Sequence, residues 1–355
     1  MRERTNREKA LSAIRRESGD YVPFEFGLCP SLYRIFCEKT GAKNPGEFYR
    51  MAYGYVYCAP KDRGIDFSRY FNGLKKNAYF NEFGVAYEPS GAEHFTHMVA
   101  PMKNFSSLKE FKAYPYPDAE KDYDWEIVKK DVRKTKASDR LAVAGMAMTI
   151  FEIGWYMRGM EEFLTDMLDE SGFLEYHLER ICRIRCRQAE LYALAGVDIL
   201  HIGDDIANQL NMMFSLEQYR KWIKPYHQRV ICAAKKINPD IIIDYHSDGN
   251  CTAAIDDLIE IGIDILNPVQ PECMDIKTIK EKYGDRLSFR GAIGTQTTMP
   301  FGTAAEVAKE AERTIGIMGS GGGLILAPSH VLEPEVPWEN VEAFINAVKA
   351  YNNGS

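Results

Sequence analysis

The segment IIIDYHSDGN, residues 241–250, runs from apolar residues into a histidine and a carboxylate two positions apart, followed by Gly249 and Asn250. On extended backbone His246 and Asp248 project to the same side. A second histidine, His330, ends the apolar run GGLILAPSH and reaches the same point if the two runs are neighbours in space. Two imidazoles and one carboxylate, with a fourth position open, form the ligand set of a catalytic zinc ion. The same residues admit a plainer reading. In it His246 bonds to backbone, Asp248 caps the helix starting near Cys251, and His330 touches a substrate directly. Other apolar runs also end in polar groups: Asp204 and Asp205 after VDILHIG, Asn267 within and Gln270 after IDILNPV, Arg290 with Thr295 and Gln296, and Ser329 before His330.

Such groups converge only if the elements carrying them converge. TNRE at residues 5–8 has capping-box spacing and opens a helix through Arg16. YVPFEFG (21–27) reads as a first strand, and residues 28–125, rich in Tyr, Phe, Gly and Pro, are the least regular third. A regular alternation follows. LAVAGMAMTI (141–150) is a strand; 160–196 is helical and stopped by Gly196; VDILHIG is a strand; and 215–237 is helical around Pro225. The strands DIIIDYH, IDILNPV, RLSFRGAIG and GGLILAPSH then alternate with helices to the end. Short apolar strands joined by helices form a parallel sheet buried on both faces. About eight strands are available and no GxGxxG follows the first. The expectation is therefore an α/β chain forming one (β/α)8 TIM-type barrel over residues 1–355, with the irregular N-terminal third covering the barrel. In that fold the polar strand ends surround a single pocket.

Composition narrows the function classes. The 355 residues are 45% hydrophobic and 27% charged, with net charge −7 and no long Lys/Arg run, so neither nucleic acid nor an anionic membrane is an expected partner. No apolar stretch approaches the roughly 18 residues of a spanning helix, and MRERTNREKALSAIRRE lacks a signal-peptide core. Eight scattered cysteines without a CxxC pair fit a reduced, cytoplasmic protein.

The order of these segments resembles the uroporphyrinogen decarboxylase superfamily over most of the chain. TNREKALSAIRRE with DYVPFEFG, AMTIFEIGWYMRGMEEFLTDM, FSLEQYRKWIKPYHQRV, RLSFRGAIGTQ and GLILAPSHVLEPEVPWENVEAF carry the likeness. The superfamily holds true decarboxylases and cobalamin-dependent methyltransferases on one barrel. Its thiol methyltransferases bind zinc through a His-x-Cys pair after strand five and a cysteine after strand eight. Here His246 matches the first position, Asp248 replaces the first cysteine and His330 the second. The true decarboxylases carry an arginine pair after strand one. This chain reads GLCPSLYRIFCEKTG there, with Arg34 alone, and Asp66 is a weak match to their substrate-centring aspartate. A polycarboxylate substrate needs several cations, which this loop does not supply. His/Asp/His ligation leaves zinc harder and more Lewis-acidic than thiolates do, which suits an oxygen leaving group.

The resemblance therefore implies a metal-dependent methyltransferase, closer to the corrinoid branch than to the decarboxylases. It would move a methyl group from a small O-methyl donor to a corrinoid protein, as O-demethylase components do. His246, Asp248 and His330 would hold zinc, with Asp204 or Asp205 as supporting group, base or alternative ligand, and Gln270 and Gln296 as substrate hydrogen-bonders. Glu152 and Tyr156 are weaker candidates for substrate contact. No Asp-x-His-x-x-Gly cobalamin motif occurs, so the corrinoid would arrive on a partner protein. A carboxy-lyase acting on a tetrapyrrole or related acid is the alternative, and a non-catalytic ligand-binding barrel is the third reading. Four features receive structural readings. Cys182 and Cys186 are core residues of a helix. GSGGG (319–323) is a turn on the barrel's lower face. His94 and His97 diverge on a strand. The aromatics Tyr70, Phe71, Tyr79, Phe80, Phe83 and Tyr87 either pack as a satellite core or line a substrate pocket.

Overall fold

The computed structural model describes residues 2, 4–90, 96–170 and 172–354. Its strands are β1 (Tyr53–Val56), β2 (Tyr79–Phe80), β3 (Ala86–Pro89), β4 (Thr96–Val99), β5 (Leu141–Ala147), β6 (Ile199–Gly203), β7 (Ile242–His246), β8 (Ile265–Val269), β9 (Ser288–Ile293) and β10 (Leu324–Pro328). Seven of them form one parallel sheet in the order β1-β5-β6-β7-β8-β9-β10. Every residue of β8, β9 and β10 is buried, as a sheet covered on both faces requires. Residues 22–26 close the ring as an eighth stave. Glu25 N–H donates to Leu326 O, Leu326 N–H to Pro23 O, and Ala52 N–H to Phe24 O. Pro23 has no N–H to offer, which keeps this stave to an isolated parallel bridge, Phe24 to Leu326. The barrel and its first strand are thus where the sequence places them, and β1 is the second stave hidden in the irregular third.

Local chemistry shifts three boundaries. The expected strand 141–150 stops at Ala147, because Met148 turns into the left-handed region (φ 58°) and Thr149 ties the turn down. The single helix expected over 160–196 is two, Met160–Leu168 and Gly172–Ala195, with Glu170 at φ 51° between them. Pro225 sits at the start of the helix Lys224–Ile237, just after a π-helical turn (Tyr219–Ile223) that absorbs the break. The capping box at Thr5 and Glu8 is present, on a helix that ends at Ile14.

β2, β3 and β4 form a small antiparallel sheet in the N-terminal third. It is built on aromatic contacts such as Phe71–Phe80, Tyr79–Tyr87 and Tyr70–Tyr114, so these rings act largely as a satellite core. Buried Arg158, on the helix Phe151–Arg158, fastens this region to the barrel through the carbonyls of Met102, Lys103 and Phe105 and through Asp166. Inside the barrel Tyr53, Val143, Ile199, Ile242, Ile265 and Ile325 form an apolar floor. Among the described residues no helix is long and apolar enough to cross a membrane.

Candidate metal centre at the barrel mouth

Strand register lifts a polar layer above that floor. Ile199 pairs with Ile242, His201 with Asp244, and Gly203 with His246, which in turn pairs with Asn267. Side chains alternate along a strand, so Asp244 and His246 follow Ile242 into the barrel. Gly203 is needed for close approach: a Cβ there would lie 2.7 Å from the His246 Cβ. The loops beyond these strands interlock. Asp204 N–H donates to His246 O, Ser247 N–H to Asn267 O, and Asp248 N–H to Asp205 Oδ1 at 2.8 Å. Gly249, at φ 81°, lets the chain turn under Asn208 and gives its N–H to Gln270 Oε1.

Asp205, His246 and Asp248 meet at the mouth, with one ligand atom from each lying within 4.8 Å of the others. His246 Nε2 is 3.7 Å from both Asp205 Oδ1 and Asp248 Oδ1, beyond a hydrogen bond to either. Its other nitrogen is committed. Asn267 Nδ2 donates to Arg290 O at 3.0 Å, and a carbonyl only accepts, so Asn267 Oδ1 must face the imidazole. His246 Nδ1–H therefore donates to Asn267 Oδ1 at 2.7 Å, and in the neutral imidazole this leaves the Nε2 lone pair between two carboxylates. Burial pushes the Asp248 carboxyl up, and Asp205 adds to that push while His246 and His330 oppose it. One imidazole lone pair and two crowded carboxylates are a donor set for a divalent cation.

The plainer reading does not describe the bonds of His246 and Asp248. His246 bonds to a side-chain amide, not to backbone. The turn Thr252–Ala254 has Cys251 at its N-cap without a side-chain bond, and Asn250 Oδ1 accepts from Thr252 N–H, so Asp248 does not serve as the cap.

The other sequence-derived candidates fall in different places. Asp205 joins the cluster, whereas Asp204 is fully buried. Its carboxylate accepts from the N–H groups of Ile150, Phe151 and Glu152 and from His227 Nε2, so it caps the start of the helix Phe151–Arg158 from a neighbouring loop. His330 is outside the 4.8 Å group. It borders a cavity of about 280 Å3 together with Asp248, Gln209, Gln270, Gln296 and Glu333. Gln270 is buried and divides its amide between Gly249 and Gln209, while Gln296 is exposed on the rim. Glu152 and Tyr156 lie near Asp205, outside that cavity's lining; Tyr156 O–H donates to Glu152 Oε1 at 3.3 Å. Burial, then Asp204 and Asp205, push the Glu152 carboxyl up to about 9, so it is protonated at neutral pH.

Sequence reasoning gave no role to Asn267, although its place at a strand end was visible; the signal was its alignment beside His246, which only register supplies. Beneath the cluster, Arg290 donates to Asp244, Glu25 and His201, while Tyr53 and Tyr55 donate to Asp244 and Glu25. Of the features read as structural, Cys182 Sγ lies 3.6 Å from Cys186 Sγ and contacts Tyr226 O, with no histidine or carboxylate joining them in a ligand group among the described residues. The glycine turn 319–323 packs against the end of the first helix, where Gly323 N–H donates to Ala13 O. His94 lies outside the described residues, and His97 is exposed on β4.

Comparison with known proteins fits this architecture. The fold matches that of a methyltransferase from Methanosarcina mazei with TM-score 0.72 at 18% identity, covering 98% of this chain and 99% of that one. In sequence the chain is similar to a uroporphyrinogen decarboxylase of Pseudomonas syringae pv. tomato, 22% identical over 255 residues and 69% of each protein. It is also similar to a methylcobamide:CoM methyltransferase of Methanosarcina barkeri, 23% identical over 205 residues, 55% of this chain and 57% of that protein. The family model for uroporphyrinogen decarboxylase (URO-D) matches residues 85–351, which include every residue of the mouth cluster, and the chain belongs to that family.

Proposed function

We propose that this chain is a metal-dependent methyltransferase that takes a methyl group from a small O-methyl donor and delivers it to a corrinoid protein. The observation that carries this reading is the Asp205–His246–Asp248 cluster, whose free imidazole lone pair faces two carboxylates. These three residues would hold a divalent ion, zinc by donor type, and His330 would bound the open position. When bound, the ion supplies Lewis acidity toward the oxygen from which the methyl departs. Asn267 keeps His246 in the ligand tautomer, Asp204 fixes the loop that presents Asp205, and Gln270 holds the Gly249 turn that presents Asp248. The methyl–oxygen bond breaks with its electron pair on oxygen, and the acceptor provides the pair for the new bond.

The longer alignment with a decarboxylase favours a second reading, a carboxy-lyase acting on a tetrapyrrole or related acid. The test of both is metal analysis of the purified protein, followed by two assays. Demethylation of an aryl methyl ether with cob(I)alamin, lost together with zinc in His246→Ala, is the expected outcome. Conversion of uroporphyrinogen by metal-free protein, at roughly 1 per second or more, would instead establish the carboxy-lyase. Asp248→Cys should retain zinc yet demethylate more slowly, because thiolate charge weakens polarisation of the oxygen.

A further inference from the structure

The donor cavity has a charge character that selects among methyl donors. Its walls carry the amides of Gln209, Gln270 and Gln296 and the hydroxyls of Thr295 and Ser329, with Asp248 and Glu333 as carboxylates and two valines as the apolar part. Neither lysine nor arginine lines it among the described residues. Among the described residues its one ionisable base is His330, which interacts with the Asp248 carboxylate. The nearest buried cation, Arg290, is committed to Asp244, Glu25 and His201 one layer below. A divalent ion at the cluster would offset the formal charges of Asp205 and Asp248 and leave that pair without net positive charge. An anionic ligand entering the metal-free cavity would thus lose its hydration without gaining a lysine or arginine among the described residues. Amides and hydroxyls instead offer hydrogen bonds to hydroxyl or ether oxygens of a neutral molecule.

We propose that the ligand of this cavity is a small, uncharged, hydrogen-bonding methyl ether, and that the site rejects the same skeleton bearing a carboxylate. This rests on the methyl-transfer reading for the word donor, but the charge preference is a property of the cavity. The test uses 4-methoxybenzyl alcohol and 4-methoxybenzoate, whose charge lies across the ring from the methoxyl group. Binding of each is measured by ligand-observed NMR to metal-free and zinc-loaded protein, without any acceptor. The alcohol should bind at least about tenfold tighter than the carboxylate to the metal-free protein, and zinc, by offsetting the Asp205 and Asp248 charges, should narrow that ratio without reversing it. Gln296→Arg, on the exposed rim, should narrow or reverse that ratio; Thr295→Lys serves if the first variant does not fold. Equal or tighter binding of the carboxylate by the unaltered protein would overturn the proposal, as would a ratio indifferent to both substitutions. Demethylation with cob(I)alamin is then read separately. Charge-selective binding without demethylation would remove the methyl-transfer reading and leave the neutral-ligand site. Demethylation that favours the carboxylate would do the reverse.

Discussion

Two charged layers lie one above the other in this barrel, and they are built to opposite ends. In the lower, a single guanidinium, Arg290, is wrapped by Asp244, Glu25 and His201, with the Tyr53 and Tyr55 hydroxyls donating to the two carboxylates. In the upper, Asp205 and Asp248 face one imidazole, and no lysine or arginine joins them among the described residues. The lower layer carries its own counter-charge, with Asp244 fully buried and Arg290 and Glu25 nearly so. The upper is half-exposed and lacks a cation. The difference separates a network buried between the staves from one that opens to the barrel mouth. Asp204 and Asp205 repeat the lesson in adjacent residues, since one is saturated by backbone amides and the other opens to the mouth.

The largest effect should come from breaking the lower layer. Arg290→Met strands two buried carboxylates and should destabilise the protein by about 3–5 kcal/mol in denaturant unfolding. A loss under about 1 kcal/mol would mean the network is not structural. The upper layer should respond in the opposite way. His246→Ala is expected to lower zinc affinity at least about a hundredfold in competition with a chelator while changing stability by about 1 kcal/mol or less. If unfolding shifts strongly and zinc binding does not, the two layers have been assigned backwards. Asn267→Leu should weaken zinc about 10–100-fold by releasing the His246 tautomer, an effect visible in the imidazole 15N shifts, and Asn267→Asp should restore the Nδ1–H form.

The smallest effect is a pH dependence of the lower layer. Burial pushes the Asp244 carboxyl up, but Arg290 and His201 outweigh it and hold the group down at about 2, below its ordinary 3.8. A depressed carboxylate contributes stability above its unfolded pKa and loses it as pH falls through the folded value. Stability should therefore drop by on the order of 2 kcal/mol between about pH 4 and pH 2. The slope should be missing in Asp244→Asn, measured by urea unfolding across that range. An equal slope in the variant would assign it to other carboxylates.

What the sequence determined by itself follows from local rules. Alternating apolar runs and helices specify parallel strands, and strand ends in such a sheet are polar where ligands bind, so His246, Asp248 and the ring of polar ends were visible from residue types alone. The capping box at Thr5 and Glu8 was equally legible, because it depends on four consecutive residues. The irregular third was not: β1 is four residues long and its neighbour in the barrel wall lies some thirty positions earlier, so no periodicity marks it. Only tertiary structure distinguished Asp205 from Asp204, since the amides that saturate Asp204 come from a helix more than fifty residues away. It alone placed Asn267 against His246, through the pairing of β7 with β8, and set His330 at the rim of the cavity. Backbone periodicity decides which residues face inward, whereas strand register and loop packing decide which inward groups share a proton, a cation or a partner, and those contacts lie far apart in the chain.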